Sequence, residues 1–196
     1  MGKFKVISKI DNGVILIEPA VFGDHRGYFM ETYNRADLAE IGINCDFIQD
    51  NESMSGFGVV RGLHYQAMPC TQAKLVRVIS GKVLDVAVDM RKNSSNFGKV
   101  FYAELSGENH RQFYIPRGFA HGFAVLSETA IFQYKCDNFY APEADGGISI
   151  KDDSLGIDWQ IPTANAILSE KDIKHVCLKD FDSPFEYGMN LYPEFE

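Results

Sequence analysis

The 196-residue chain has no apolar stretch approaching the length of a membrane span, and residues 1–19 carry neither the apolar core nor the small-residue cleavage site of an export signal. Cysteine is sparse: Cys45, Cys70, Cys136 and Cys177 are scattered, with no C-x-x-C and no zinc-like spacing. In a chain of this size they read as reduced thiols, and a cytoplasmic protein is expected. Positive charge is short as well. With 19 Lys+Arg against 27 Asp+Glu the net charge is −8, so the chain lacks the cationic surplus with which a general nucleic-acid binder displaces counterions from phosphate. A small anionic ligand stays open, because a few well-placed basic residues suffice for it. There is no G-x-x-x-x-G-K-[ST] phosphate loop and no G-x-S-x-G elbow, and Gly56-Phe57-Gly58-Val59-Val60-Arg61 breaks the dinucleotide fingerprint at its last glycine. Any chemistry is therefore expected to run without a bound nicotinamide or an acyl-enzyme.

What the chain does have is a globular composition, 45% hydrophobic and 13% aromatic, in a length that buries roughly 70% of its unfolded surface without disulfides or metal. Strand-like runs dominate: residues 14–17, 59–66, 74–80, 83–90, 100–105, 112–115, 120–126 and 130–136. Their spacing of about 10 residues, punctuated by turns, suggests a sandwich or barrel of antiparallel strands. In residues 83–90 the positions Leu84, Val86, Val88 and Met90 are apolar while Asp85 and Asp89 fall on the other face, the pattern of a half-buried strand. Ser80-Gly81-Lys82 reads as a hairpin, and residues 106–109 as a second turn. Helical signal is confined to residues 35–41 behind a cap at Asn34 and to a turn over 169–174. The expectation is one mostly-β domain over residues 1–196, with a core of about 14–172 and a C-terminal tail from 173.

Two segments concentrate reactive side chains. In the first, Arg61-Gly62-Leu63-His64-Tyr65-Gln66, alternation puts His64 and Gln66 on one face beside Gly62, whose smallness would leave room for a ligand. The second, Pro116-Arg117-Gly118-Phe119-Ala120-His121, has the Pro-x-Gly-x-x-His spacing that resembles the second motif of cupins, double-sheet barrels of the jelly-roll class. A metal-binding cupin would also carry His-x-His and a nearby Glu, but the matching place reads His64-Tyr65-Gln66. Only His64 and His121 stand as ligands, too few for a stable zinc or iron site, so no metal is expected.

The run Val21-Phe22-Gly23-Asp24-His25-Arg26-Gly27-Tyr28-Phe29-Met30-Glu31 resembles the N-terminal signature of the dTDP-4-dehydrorhamnose 3,5-epimerases. So do the blocks at 47–51, 61–66, 74–76, 85–89, 115–123 and 168–172, in order along nearly the whole chain. The resemblance implies a cofactor-free isomerase with a cupin-like jelly roll, acting on dTDP-4-dehydro-6-deoxy-D-glucose. It inverts carbons 3 and 5, each beside a ketone, by removing a proton, forming an enolate and returning a proton to the opposite face. It also implies the roles: His64 as base, Asp172 orienting it, Tyr134 as the acid on the other face, and Lys74 on the enolate. His121 would contact sugar oxygens, and Arg61 and Arg26 the diphosphate. Gln49, Asn51, Glu31 and Lys171 would supply polar contacts, and Tyr140 would stack on thymine. Asp145 stands where the family usually carries Glu, and Ile150-Lys151-Asp152 replaces the usual Trp-Asn-Asp. Residues equivalent to Arg26 and Glu31 reach a neighbouring subunit's pocket, so a homodimer by strand exchange is expected. An epimerase inverting one carbon, a sugar-binding cupin and a metal-dependent cupin are the competing readings.

Taken singly, these residues have plainer explanations. His64 on a strand suits a satisfied core histidine, and Asp172 closes the capping box Ser169-Glu170-Lys171-Asp172. His25, His110 and His175 sit among polar residues and read as surface groups. The aromatic tail (Phe181, Phe185, Tyr187, Tyr192, Phe195) reads as packing on the barrel or at a dimer seam.

Overall fold

A computed structural model describes residues 3–10 and 13–193, so Phe195 lies outside the described residues. The strands are β1 (Phe4–Lys9), β2 (Ile15–Pro19), β3 (Val21–Asp24), β4 (Gly27–Met30), β5 (Gln49–Gly56), β6 (Val60–Gln66), β7 (Lys74–Ser80), β8 (Lys82–Asp89), β9 (Arg91–Lys92), β10 (Val100–Ser106), β11 (Gln112–Ile115), β12 (Phe119–Val125), β13 (Thr129–Cys136), β14 (Asp145–Gly147) and β15 (Phe185–Glu186). One six-stranded sheet runs β1-β2-β11-β7-β13-β5 and one five-stranded sheet β10-β8-β12-β6-β14. All their pairings are antiparallel. Val76, Phe113 and Phe132 from the first sheet share a buried cluster with Ala87, Phe101 and Phe123 from the second, so the two sheets pack face to face. This is a cupin-like jelly roll, in line with the expected class. Among the described residues no helix is long and apolar enough to cross a membrane.

Helix α1 (Arg35–Glu40) starts where Asn34 accepts the amides of Ala36 and Asp37. It places Leu38 in a cluster with Ile17 and Leu75 on the outer face of the six-stranded sheet. Ser80-Gly81-Lys82 is not a hairpin, because β7 and β8 lie in different sheets. Gly81 (φ 82°) turns the chain across the sandwich, and a side chain there would meet the backbone of Ala130. Residues 106–109 make the same kind of crossing, from β10 to β11.

β8 departs furthest from its sequence pattern. Alternation assigns Asp85 and Asp89 to solvent, yet both are 0% exposed. The apolar side, Leu84, Val86 and Val88, is covered by residues from the end of the chain, including Trp159, Phe185 and Leu191. The acidic side, with Val83 and Ala87, faces the sandwich interior. Each acid is paired: Asp85 with His121, and Asp89 with Arg91 at 2.7 Å.

The C-terminal residues are held down by a buried cation. Arg117 Nε donates to Asp137 at 3.0 Å, and both side chains are 0% exposed. Arg117 Nη1 donates to the Leu191 carbonyl at 2.8 Å, and Asp137 also accepts the Ala73 amide at 2.7 Å. Removing one member of such a pair leaves the other charge buried and uncompensated, which costs about 3–5 kcal/mol. Asp137→Ala is therefore expected to lower the unfolding free energy by that much, read as a lower urea midpoint with m unchanged in equilibrium unfolding.

Candidate active site

β6, β12 and the loop before residue 172 from one side, and β7 and β13 from the other, enclose a cleft of about 370 Å³ that includes Arg61, His64, Lys74, His121, Tyr134 and Asp172. A second cleft of about 360 Å³ shares His64, Lys74 and Tyr134 and adds Gln49, Asn51, Tyr140, Asp145 and Lys171. These chain-distant residues, each singled out from the sequence, thus meet in one continuous depression.

His64 enters from β6, where its backbone pairs with His121 on β12 and Gly147 on β14. Its Nε2 lies 2.5 Å from Asp172 Oδ1. Burial pushes the Asp172 carboxyl up, but the hydrogen bond and charge of His64 and the Ser169 hydroxyl outweigh it, leaving Asp172 below the ordinary carboxylate value. Half of the expected capping box is present, since the Ser169 hydroxyl accepts the Asp172 amide at 3.1 Å. The acid's own side chain goes to His64 instead of back to the helix start.

Alternation along β6 fails at Gly62. Arg61 and His64, which the strand pattern puts on opposite faces, line the same cleft, because the pairing of β6 with β12 shifts register between His121 and Phe123. Nor does Gly62 make room for a ligand. At φ 138° it lets two backbones touch, and a Cβ there would stand 2.6 Å from the Gly122 Cα.

Tyr134 and Lys74 come from the opposite sheet, on β13 and β7, with Lys74 Nζ 5.9 Å from the phenol ring centroid. Burial raises the Tyr134 pKa above its ordinary value, partly offset by Arg61, so the phenol stays a proton donor. Among the described residues no carboxylate forms an ion pair with Lys74. His121 is nearly buried, with Nε2 at 2.9 and 3.0 Å from the Asp85 oxygens. Burial raises the Asp85 pKa, while His121 and Lys74 draw it down. Sequence reading missed this second His–Asp pair, because it took Asp85 for a solvent residue.

The outer cleft is a hydrogen-bonded cradle. Gln49 donates to Asn51 at 3.0 Å and accepts the Tyr140 amide at 3.0 Å, while the Tyr140 hydroxyl donates to Asp145 at 3.0 Å and Lys171 pairs with the same carboxylate. The bond to Asp145 raises the Tyr140 phenol pKa. Gln66 anchors the loop beneath, donating to the carbonyls of Cys70 and Phe139 and accepting the Ala141 amide.

Two expected site residues lie outside these clefts. Arg26 closes the β3–β4 hairpin with an ion pair to Asp24 at 2.6 Å, and Glu31 pairs with Lys3 at 2.6 Å. Their place within a single chain gives them no contact with His64 or Tyr134. His175, read from sequence as a surface group, packs edge-on against His64 with ring centroids 5.6 Å apart. Its ring fills the space over Gly147, where any side chain would collide with it. No local pattern marks His175, because it reaches the site only through the fold.

Since the Asp172 carboxyl lies below its unfolded value, its contribution to stability is present above about pH 4 and is lost as the pH falls through the lower folded value. The stability of Asp172→Asn is accordingly expected to depend less on pH than that of the parent protein below about pH 4, in urea titrations at a series of pH values.

Residues 9–180 match the family model of the dTDP-4-dehydrorhamnose 3,5-epimerases. An enzyme of that name from Methanothermobacter thermautotrophicus is 52% identical over 173 residues, covering 88% of this chain and 93% of its own. The crystal structure of another, from Elizabethkingia anophelis, superposes with a TM-score of 0.85 at 54% identity, covering 91% of this chain and 98% of its own. A dTDP-6-deoxy-D-glucose-3,5-epimerase from Legionella pneumophila, in complex with dTDP-4-keto-L-rhamnose, has a TM-score of 0.88 at 46% identity and covers 93% of this chain and 97% of its own. With its jelly roll and its His64–Asp172 cleft, the chain belongs to the dTDP-4-dehydrorhamnose 3,5-epimerase family.

Proposed function

We propose that the protein inverts carbons 3 and 5 of dTDP-4-dehydro-6-deoxy-D-glucose to give dTDP-4-dehydro-L-rhamnose, by proton removal and return through an enolate. The observation that carries the reading is the pairing of a His–Asp dyad on one sheet with a protonated tyrosine on the other, at opposite walls of one cleft. Asp172 is ionised and can only accept, so His64 donates Nε2–H to it and keeps a basic lone pair on Nδ1. His64 takes the proton beside the ketone, and Asp172 stabilises the resulting imidazolium. Tyr134 returns a proton to the other face, and solvent then reprotonates its phenolate and takes the proton from His64.

The enolate oxygen needs a positive partner. A cation about 4 Å away contributes about 4 kcal/mol at an effective dielectric near 20, and Lys74, on the same wall of the cleft as Tyr134, is placed to supply it. His121, held by Asp85, presents a fixed ring to the sugar oxygens, and Arg61, braced on Ser55 at 3.1 Å, serves the diphosphate. Tyr140, Gln49, Asn51, Asp145 and Lys171 form the nucleoside end. Arg26 and Glu31 act in the pocket of a second subunit. The β3–β4 hairpin that carries Arg26 presents Phe22, Tyr28 and Phe29 at 58–66% exposure, an apolar face suited to strand exchange in a homodimer.

The test is turnover in heavy water with mass spectrometry of the product. Two deuterons per sugar are expected, at carbons 3 and 5. One deuteron would reduce the activity to a single inversion, and none would overturn the reading.

A further inference from the structure

Beside the cleft, His175 adds to the His64–Asp172 dyad a third donor that the proposed reaction does not use. His64, Asp172 and His175 each offer one ligand atom, and these atoms all lie within 4.8 Å of one another. Two imidazoles and one carboxylate are the donors that hold zinc-type divalent ions in sites with an open coordination position. Sequence reading counted His64 and His121 as the available ligands. The fold instead commits His121 to Asp85 and brings a different histidine to the dyad.

We propose that His64, Asp172 and His175 form a binding site for a divalent transition-metal ion of the zinc type, and that occupation of this site switches the enzyme off.

Three observations support it. His175 Nδ1 is buried without a hydrogen-bond partner among the described residues, so no hydrogen bond at that atom fixes the ring against turning toward an ion. Asp172 is buried while His64 is partly open to the cleft, so an ion can enter from the substrate side and meet the carboxylate behind the ring. The donors also stand near the required spacing. At metal–ligand distances of about 2.0–2.1 Å the corners of a tetrahedron are roughly 3.3 Å apart. The His64–Asp172 pair at 2.5 Å would have to open slightly, and the other separations, none above 4.8 Å, would have to close by at most about 1.5 Å, a rotation of side chains.

The effect on catalysis follows from the ligands. An ion that takes a nitrogen of His64 and the Asp172 carboxylate breaks the dyad and occupies the cleft where the reacting carbon sits. The inhibitory half rests on the function proposed above, whereas metal binding itself does not. This is the opposite of a metal cofactor, since removing the ion raises activity.

The test uses full-length protein stripped with chelator, with Cys70 and Cys177 replaced by serine so that thiolates do not compete. Zinc binding is read by calorimetry, and cobalt binding by its visible absorption. One ion per chain is expected, with the strong bands of a four-coordinate cobalt site. His175→Gln and Asp172→Asn are each expected to bind at least about tenfold more weakly, with cooperative thermal unfolding of the metal-free proteins showing that they remain folded. Zinc is then added to the deuterium-exchange assay. Exchange by the parent is expected to stop at one equivalent and return with chelator, while His175→Gln, scaled to its own metal-free rate, resists zinc. Equal affinity in the parent and His175→Gln, or no saturable binding, would overturn the proposal. Stoichiometric binding without exchange on any nucleotide-linked 4-keto sugar would leave the metal site standing and overturn the proposed function instead.

Discussion

His64→Ala is expected to lower deuterium incorporation at both carbons by about 10²–10⁴-fold, the contribution of one general base. The other groups in the cleft do not replace it. Tyr134 holds its proton because burial raises its pKa, and Asp172 is the partner of the missing ring. The variant also leaves the Asp172 carboxylate buried at 4% exposure without its imidazole, so some loss of stability accompanies the loss of rate. His64→Asn separates the two effects. Its amide can donate to Asp172 and preserve folding, but it has no basic lone pair. Equal exchange losses in the two variants, with near-parental thermal unfolding in His64→Asn, would assign the effect to chemistry. Exchange at the parental rate in His64→Asn would remove His64 as the base.

Tyr134→Phe separates proton removal from proton return. The phenol hydroxyl goes while the ring, which packs against the Phe132 cluster, stays, so folding is expected to hold. Net inversion should fall by about 10²–10⁴-fold, as for one general acid. The His64 side of the reaction keeps its base and its cation. Substrate recovered from heavy water is therefore expected to gain deuterium without inverting, because the proton returns from the face it left. Loss of exchange together with inversion would place Tyr134 on the removal step. Full inversion in Tyr134→Phe would exclude it as the donor.

Much of the architecture is legible because a strand repeats every two residues. Residues 74–80, 112–115 and 130–136 announce themselves as strands, and they are β7, β11 and β13. Residues 49–56 do not, since β5 is an edge strand of largely polar residues with no continuous apolar face. Yet β5 carries Gln49 and Asn51 into the outer cleft.

The ordered motifs, and through them the family, are determined by sequence alone, because they consist of residue types at set places along the chain. Which residues touch is decided only by the tertiary structure. Asp85 is buried because its side of β8 faces the sandwich interior, while the apolar side is covered in turn by residues from the end of the chain, including Trp159, Phe185 and Leu191; alternation reports two faces without saying how many are covered. Asp172 reads locally as a helix cap. It becomes the partner of His64, 108 residues away, because closing the sandwich puts a buried carboxylate within hydrogen-bonding distance of an imidazole. His175 joins them for the same reason: proximity in a folded chain is set by sheet packing, which no spacing of letters records.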